Sequence, residues 1–494
     1  MSIEQSKKRT WIFEEASIPE AVFTMAIPTI ITQLINIVYN FADAWYVGRT
    51  GSAAMMAALS VSLPIFIIIQ ALANLFGIGG ASAISRALGR RDAGRARKIF
   101  AFSLFGGLAA AVLYAAVAFF ARPLMIPMIG GSEDSYPYIY NYMFWTMVVG
   151  AIPTLGNALC GHLVRSIGAA REAGFGLSMG GVLNIILDPL FMFVLLPRGM
   201  EVTGAAIATC LSNTIALTYF LVFLYKHRDN PVFTFSPADF TLEEGIPGEV
   251  FSIGTAAALQ TFLAMISNIC ANKLVAEYGS AAVAGMGIAK KVNMIAFNTT
   301  LGLTQGVLPL IAYNYGAKRH ERMQKTIRFT ASVAVGFASC CTIFFRLFAR
   351  QLITFFIDEP ASVEFGTQFL RVIAFAAPLC ALSYMANTIF QAAGKRKYSL
   401  ALSTMRKGVV DIPAMILFKM LMGLSGVTWA TPFAEVTSAV TAAVLYLRFR
   451  KQLGEAKSGG NGAVDAVSEL QEAAGAAKRS GSGEDSGVSE MIEE

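Results

Sequence analysis

Residues 18–48 read IPEAVFTMAIPTIITQLINIVYNFADAWYVG, and this stretch decides the fold class. A helix of about 20 apolar residues crosses a bilayer, and the run is long enough to do so. Its polar side chains recur at steps of three and four, which places them on one face of the helix. They are Gln33, Asn36, Asn40 and Asp43. A charge at membrane depth costs about 2.5–3.5 kcal/mol, so this face is predicted to meet a wet cavity or a partner rather than lipid.

Pro28 lies in the middle of this predicted helix. Proline removes one backbone donor and clashes with the preceding turn, so a bend or a broken hydrogen-bond ladder is predicted there. The stretch is therefore interpreted as a polar, ionisable helix face inside a membrane bundle, on a helix that can flex.

The composition supports the membrane class. Of 494 residues, 55% are hydrophobic and only 14% are charged, whereas soluble domains carry about 25% charged residues. The formal net charge is +7, but the basic residues cluster in short loops between apolar runs, which is typical of topology signals. Nucleic acid is therefore not expected as a partner.

The sequence offers little support for an enzyme or a metal site. Its six cysteines lie inside apolar runs without CxxC spacing, and its three histidines form no HExxH pattern. No cofactor, no catalytic residue and no structural metal is therefore expected.

The apolar runs predict twelve transmembrane helices. They lie at residues 18–44, 52–76, 98–121, 136–160, 172–196, 203–225, 250–274, 282–312, 328–348, 366–392, 399–422 and 425–447. We accordingly divide the chain into an amino-terminal lobe (1–228), a cytoplasmic linker (229–249), a carboxy-terminal lobe (250–451) and a cytoplasmic tail (452–494). The tail is rich in Gly, Ser and charge, so it is predicted to be disordered, with room for one short helix at 464–478.

Arginine and lysine residues cluster in the loops that follow even-numbered spans. These loops include SRALGRRDAGRARK (85–98), GAKRHERMQKTIR (316–328) and the loop that carries Arg165 and Arg171. Because basic loops stay on the cytoplasmic side, both termini are predicted to be cytoplasmic. The expected location is the plasma membrane of a bacterium, the cell inner membrane, with multiple passes.

The two halves of the chain match when the sequence is shifted by about 227 residues, and such self-similarity marks an internal repeat. The pairs are GSA at 51–53 with GSA at 279–281, Pro153 with Pro378, and RSIGAAR at 165–171 with FQAAGKR at 390–396. Equivalent positions are six spans apart, so both halves have the same orientation in the membrane. This predicts two six-helix lobes related by a parallel repeat, with a substrate path between them, as in some secondary transporters.

Ionisable and polar residues are predicted to converge in the amino-terminal lobe. Asn184 and Asp188 are four residues apart in span five, so they share a helix face. A rise of about 1.5 Å per residue brings them to a similar depth as Asp43 of span one and Thr209 of span six. Two carboxylates, one amide and one hydroxyl would suit a proton or a sodium ion.

The residues leave the choice of ion open. Desolvation and a neighbouring like charge favour the neutral form of a carboxyl group, which suits proton binding. An all-oxygen cluster suits Na⁺ equally. The alternatives without function are an Asp43 solvated by the outer loop and a structural turn at Asp188–Pro189.

The carboxy-terminal lobe has a different set of polar residues. The counterpart of the first polar face contains Gln260 and no acid, while Lys290 and Lys291 lie within span eight. Lys407 and Asp411 are four residues apart and are predicted to pair. The two lysines either line the central cavity or extend to the membrane surface. The residues considered for the substrate cavity are Gln33, Asn36, Tyr39, Asn40, Gln260, Lys290, Lys291 and Asp411.

Three segments and the duplicated twelve-span layout resemble one known family. The segments are PTIITQLINIVYNFADAWYVG (28–48), GRRDAGRARK (89–98) and NIILDP (184–189). The chain from about Phe13 to Lys451 is similar to the multidrug and toxic compound extrusion (MATE) transporters, and looks most similar to their DinF-like bacterial branch.

The resemblance implies roles for particular residues. Asp43, Asn184, Asp188 and Thr209 would be the ion-coupling residues, and Pro28 the bend of the first helix. Another branch uses acids of the carboxy-terminal lobe, but Gln260 occupies one such position here. Sodium coupling in that lobe is therefore not expected.

The expected function is a secondary active antiporter. It would export small organic, often cationic, amphiphiles as a monomer in the lipid bilayer, driven by inward movement of H⁺ or Na⁺. The alternative keeps the fold and changes the cargo to a lipid-linked or polysaccharide intermediate, as in related flippases. An intramembrane enzyme has no plausible catalytic constellation.

Overall fold

The computed structural model describes residues 11–129 and 131–480, and throughout these ranges the chain is helical without a β-strand. This confirms the predicted all-α class. The helices of the amino-terminal half are α1 (Ile18–Gly48), α2 (Ala53–Gly89), α3 (Ala93–Met128), α4 (Tyr136–Met143), α5 (Ala151–Ser166), α6 (Ala170–Leu190) and α7 (Glu201–Lys226).

The carboxy-terminal half contains more and shorter helices. They are α8 (Ile246–Ala276), α9 (Ser280–Gly306), α10 (Leu308–Gly316), α11 (His320–Leu347), α12 (Ala349–Thr354), α13 (Pro360–Ile373), α14 (Ala376–Ala392), α15 (Arg396–Thr404), α16 (Asp411–Met422) and α17 (Leu424–Ser480). Three π-helical segments interrupt the bundle, at Phe144–Val149, Phe191–Leu195 and Met405–Val410, and one 3₁₀ turn lies at Pro237–Asp239.

The number of membrane spans follows from length and apolar composition. Over the described residues, nine helices are long and apolar enough to cross a membrane, and eleven spans result when two bent helix pairs each count as one. The predicted eleventh span, 399–422, coincides with α15, a π-helical segment and α16. Neither α-helical piece is long enough alone, because the π-helical segment divides them.

Both bent pairs break just before a proline. Helix α4 with the π-helical segment that follows it (Tyr136–Val149) is bent by 48° from α5, and α13 is bent by 45° from α14. Pro153 and Pro378 are each the third residue of the second helix in the pair. Proline supplies no N–H to the preceding turn, so the helix ends before it and restarts in a new direction. The break recurs at equivalent positions of the two halves, as the internal repeat predicts.

Helices α1 and α2 join the two halves. Helix α1 packs against α6 of its own half and against α9 of the other, while α2 packs against α3 and α5 on one side and α8 and α10 on the other. Helix α1 continues without interruption across Pro28, so the bend predicted at Pro28 stays a prediction. The Pro28 ring lies against Gly174 of α6, where an added Cβ would be 2.5 Å from the proline Cβ.

Backbone approaches backbone where the halves meet. A Cβ added at Gly254 of α8 would lie 1.9 Å from the carbonyl oxygen of Leu75 in α2. A Cβ added at Gly89 would lie 2.1 Å from the carbonyl oxygen of Tyr313 in α10. These distances are shorter than any van der Waals contact, so only glycine permits this packing.

Arg86 connects the halves at the basic end, which we define as the end of the bundle formed by residues 86–98 and 316–328. The side chain is 6% exposed. Its Nη1 donates to the carbonyl oxygens of Gln391 (3.4 Å) and Ala392 (3.3 Å) at the end of α14. Its Nη2 lies 4.0 Å from the carboxylate of Glu249 in α8.

The segment between the halves packs against the start of α3. Phe233 is buried there, and the Arg97 guanidinium donates to Asp239 at 2.8 Å. The Thr234 hydroxyl also donates to Asp239. The hydrogen bond from Thr234 and the neighbouring Arg97 hold the pKa of Asp239 below its ordinary value.

Helix α17 continues to Ser480, and residues 481–494 lie outside the described residues. The predicted disorder of the tail from residue 452 onward stays a prediction. The segment SELQEAAGAAK (468–478) is rich in Ala, Glu, Leu and Lys, which have the strongest helix propensities. The chain divides into a unit that ends at Ala442 and a unit that begins at Ala443.

Candidate functional site

The four predicted ion-coupling residues come together in the amino-terminal half. We call Asp43, Asn184, Asp188 and Thr209 the acid cluster. The Asn184 amide donates to the carboxylate of Asp188 at 3.2 Å and to the hydroxyl of Thr209 at 3.0 Å. Asp43 lines one cavity together with Asn184 and Thr209. Helices α1, α6 and α7 thus each contribute to one cluster.

The side chains of this cluster are buried, and several of their oxygens lack a hydrogen-bond donor. Asp188 is fully buried, Asn184 is 2% exposed and Asp43 is 9% exposed. Oδ1 of Asp43, Oδ1 of Asn184 and Oδ2 of Asp188 have no hydrogen-bond partner among the described residues. A buried acceptor without a donor costs about 1–3 kcal/mol.

A proton or a small cation would supply what these oxygens lack. All three unpaired atoms are hard oxygen ligands, and oxygen is the ligand that alkali and alkaline-earth cations prefer. Across the described residues no group of three or more His, Cys, Asp or Glu side chains could hold a metal ion. The donor set therefore fits H⁺ or Na⁺ better than a transition metal.

A cavity of about 550 Å³ opens beside the acid cluster. The predicted polar face of α1 borders it through Gln33, Asn36, Tyr39, Asn40 and Asp43. Helices α2, α4, α5, α6, α7 and α9 supply the remaining walls; the polar residues among them include Gln70, Asn74, Asn157, His162, Arg165, Asn184, Thr209, Asn213 and Gln305. The face of α1 that the periodicity of residues 33–43 defines therefore borders this cavity.

The predicted cavity residues of the carboxy-terminal half lie elsewhere. Gln260 accepts a hydrogen bond from Asn387 at 2.6 Å, and the Lys290 ammonium donates to Asn272 at 3.2 Å. Lys291 is exposed, with its ammonium 4.8 Å from the centre of the Phe41 ring. In the described part of the chain, Gln260, Lys290 and Lys291 do not border the 550 Å³ cavity.

The carboxylate of Asp411 is paired with side chains of its own half. It is fully buried, and it accepts from the Lys407 ammonium at 2.9 Å and from the Ser267 hydroxyl at 2.6 Å. The predicted pairing of Lys407 with Asp411 is confirmed. Asp411 is not among the described residues that border the cavity, because its carboxylate is directed towards α8 and Lys407 instead.

The sequence analysis missed a second buried ion pair. Arg406 donates to both carboxylate oxygens of Glu435 at 2.8 and 3.0 Å, and Glu435 is fully buried. An acid in the middle of the last apolar run was the available signal, since charges within membrane spans almost always pair.

Arg165 was also misplaced by the sequence analysis. It was assigned to a basic loop after a span that ends at residue 160, but α5 continues to Ser166 and Arg165 is only 4% exposed. The apolar run ends before the helix does, because the last turns of α5 direct polar side chains, including His162, towards the cavity.

The comparison with protein families matches both halves of the chain. The MatE family model matches residues 28–190 and again residues 255–417. The starting points of the two matches, residues 28 and 255, differ by the offset that the internal repeat predicts. The repeat is therefore confirmed.

Curated relatives match along almost the whole chain. The multidrug export protein MepA of Staphylococcus saprophyticus is 29% identical over 447 residues, which is 90% of this chain and 97% of the relative. MepA of Staphylococcus aureus (strain MRSA252) is 28% identical over the same coverage. The placement in the DinF-like branch stays a prediction.

Solved structures share the fold. A structure described as the outward-facing conformation of a multidrug resistance MATE family transporter matches with a TM-score of 0.83 at 24% identity, over 91% of this chain and 98% of that one. A MATE P26A mutant matches with a TM-score of 0.84 at 24% identity, over 91% and 99%. On the two family matches and these relatives, the chain belongs to the MatE family of multi-pass membrane transporters.

Proposed function

We propose that this protein is a secondary active exporter of small organic, often cationic, amphiphiles, coupled to inward movement of protons or sodium ions. One observation carries the proposal: three buried oxygens without hydrogen-bond partners among the described residues, on two carboxylates and an amide, lie beside a cavity of about 550 Å³. A cavity of that size accommodates a drug-sized ligand. The names of the MepA relatives support the multidrug cargo.

Coupling follows from competition for the same charge. Asp43 belongs both to the acid cluster and to the cavity wall, so a cationic substrate and a coupling ion are attracted to the same carboxylate. Neutralisation of the acid cluster by H⁺ or Na⁺ removes that attraction and releases the substrate. A pH difference of one unit supplies about 1.4 kcal/mol per proton, which supports about tenfold accumulation.

Movement of α1 would connect the ion to the two lobes. This helix holds Asp43 near one end and Pro28 in its interior, and it packs against both halves. A change of charge at Asp43 therefore acts on the helix that joins the lobes, with Pro28 as the point of flexure. In this scheme the protein works as a monomer in the plasma membrane, with both termini and the linker in the cytoplasm.

The flippase alternative requires a strongly cationic central cavity. Lys290 and Lys291 do not border the 550 Å³ cavity in the described structure, and Arg165 is the one lysine or arginine among the described residues that does. We therefore retain the drug exporter as the proposal.

Uptake of a fluorescent cationic dye into inverted vesicles tests the function. A proton gradient and a sodium gradient are imposed separately on wild type, Asp43→Asn and Asp188→Asn. We expect uptake with one of the two gradients in wild type and its loss in both variants. Asp134→Asn, the same chemical change in an exposed loop, serves as the matched control.

The outcomes separate the parts of the proposal. The gradient that drives uptake identifies the coupling ion. Normal uptake by both cluster variants would eliminate the acid cluster as the coupling site, and correctly folded wild type without uptake under either gradient would favour the flippase.

A further inference from the structure

Among the described residues, four arginine side chains are more than nine-tenths buried: Arg86, Arg122, Arg165 and Arg406. Three of them have partners within the protein. Arg86 donates to backbone carbonyl oxygens, and Arg406 donates to a carboxylate. Arg122 donates to the Tyr140 hydroxyl at 2.8 Å, and its guanidinium lies 3.8 Å from the centre of that ring. Burial of a guanidinium in this fold is thus normally accompanied by a partner.

Arg165 is the exception. The described residues provide its guanidinium with neither a hydrogen bond nor an ion pair, and its Nε is buried without an acceptor. A buried charge without a partner is strongly destabilising. Arg165 borders the 550 Å³ cavity, so its guanidinium is within reach of whatever occupies that cavity.

The guanidinium and the acid cluster lie at opposite ends of this cavity. Arg165 and Gln305 border both this cavity and a separate small void of about 10 Å³. The neighbour of Gln305, Gly306, faces Thr29, since a Cβ added at Gly306 would lie 3.2 Å from the threonine hydroxyl. From Thr29 to Asp43 there are fourteen residues of α1, a length of about 21 Å. One elongated cavity therefore has a cation at one end and carboxylates at the other.

We propose that Arg165 forms an anion subsite for the carboxylate of an amphoteric substrate whose ammonium end faces the acid cluster; this rests on the proposed export function. A guanidinium binds a carboxylate through two parallel N–H donors, which a point charge cannot reproduce. Gln305 borders the cavity together with Arg165. The subsite extends the ligand class from cations to molecules with separated opposite charges.

A free inorganic anion such as chloride has the same chemistry as the substrate carboxylate. The test therefore needs one arm for each source. In the first arm, a pair of dyes differs only in the anionic group: rhodamine 110 is a free acid, and rhodamine 123 is its methyl ester. Binding of each dye to the full-length, detergent-solubilised protein is measured by fluorescence polarisation at constant pH.

The variants are Arg165→Gln, Arg165→Lys and the matched control Arg171→Gln, which removes the same charge from an exposed arginine six residues along the chain. We expect Arg165→Gln to weaken binding of the free acid about 10- to 100-fold, the loss typical of a hydrogen-bonded charge. Binding of the ester is expected to change less than about twofold, since it has no anion to lose. Arg165→Lys is expected to retain part of the affinity, and Arg171→Gln all of it.

In the second arm, binding of the ester is compared in chloride and in gluconate. Chloride-dependent binding in wild type that disappears in Arg165→Gln would identify the occupant as a free anion and overturn the substrate carboxylate. The chloride dependence of wild type is measured without a variant, and its change in Arg165→Lys assigns it to this position if Arg165→Gln does not fold. Equal weakening of both dyes in a folded Arg165→Gln protein, or no change in either, would overturn the anion subsite.

Gradient-driven uptake of the ester into inverted vesicles separates this inference from the proposed function. If wild type takes up neither dye under any gradient, the export function itself fails. If wild type and Arg165→Gln take up the ester equally, and also take up the free acid equally, only the anion subsite fails.

Discussion

Replacing Arg86 with methionine is expected to open the basic end of the bundle. The guanidinium joins α2 to the last two carbonyl groups of α14 at 3.3 and 3.4 Å and lies 4.0 Å from Glu249 of α8. Methionine fills a similar volume but donates no hydrogen bond. The carbonyl oxygens of Gln391 and Ala392 therefore lose this charged donor, while Glu249 keeps its pairing with Arg95 at 2.8 Å.

The magnitude follows from the bonds removed. Hydrogen bonds to a charged group contribute about 1.5–3 kcal/mol, and because both bonds are long we take this as the total for the pair. A free-energy change of about 1.4 kcal/mol alters an equilibrium constant tenfold. A closed basic end that is favoured about 99 to 1 would then be favoured between about 10 to 1 and 1 to 1 in the variant.

Electron–electron distance measurements between two spin labels test this directly. Labels at Arg90 and Lys318, in a chain whose six cysteines are replaced, flank the contact between Gly89 and the start of the loop after α10, and both positions are exposed. We expect one short distance in wild type and an added, longer population in Arg86→Met. Arg91→Gln, an exposed arginine in the same loop, is the matched control.

A single unchanged short distance in Arg86→Met would refute the reasoning. It would mean that the glycine contacts alone hold the basic end closed. The same longer population in Arg91→Gln would attribute the change to general charge in the loop rather than to the bonds of Arg86.

Three further predictions concern stability. Lys407→Met leaves the fully buried Asp411 without its ammonium partner and should destabilise the fold by about 3–5 kcal/mol; thermal unfolding measures this, and adding Asp411→Asn should restore most of the loss. Gly254→Ala should cost about 1–3 kcal/mol through overlap with α2, whereas Gly248→Ala in the same helix, with nothing within 4 Å, should be neutral or stabilising in the same assay. The lowered pKa of Asp239 means that its anchoring of the linker is complete above the ordinary aspartate pKa and is lost as pH falls through the folded value; hydrogen exchange of residues 229–249 should increase in that acidic range, and Asp239→Asn should abolish this pH dependence.

The fold could be predicted from the sequence to the extent that hydrophobic length determines it. Apolar runs long enough to cross a bilayer give the spans, whereas Pro153 and Pro378 were identified from the sequence only as repeated positions and not as the sites of bends. The direction of each helix after Pro153 and Pro378 could not be predicted, because it depends on packing with neighbouring helices.

In the candidate site, too, local sequence patterns predicted some residues, whereas others depend on how the helices pack. Periodicity places Asp43 on the wet face of α1, and spacing places Asn184 and Asp188 on one face of α6. The pairing of Arg406 with Glu435 joins two helices whose relative rotation no local pattern reports. Arg165 was assigned to a loop because a charge at the end of an apolar run is normally solvated, and only the three-dimensional course of α5 shows that it is not.

Where α2 closely approaches α8 and α10, the two sides of each contact tolerate substitutions to different degrees. On one side of each contact stands a glycine, Gly254 or Gly89, where even one methyl group overlaps the neighbouring chain. On the other side stand Leu75 and Tyr313, which present only their carbonyl oxygens to the contact. Any residue supplies a carbonyl oxygen, so those two positions are free to diverge as far as this contact is concerned. As substitutions accumulate in a lineage, these two contacts therefore require glycine at positions 254 and 89. The side chains at positions 75 and 313 can change without altering the backbone contact.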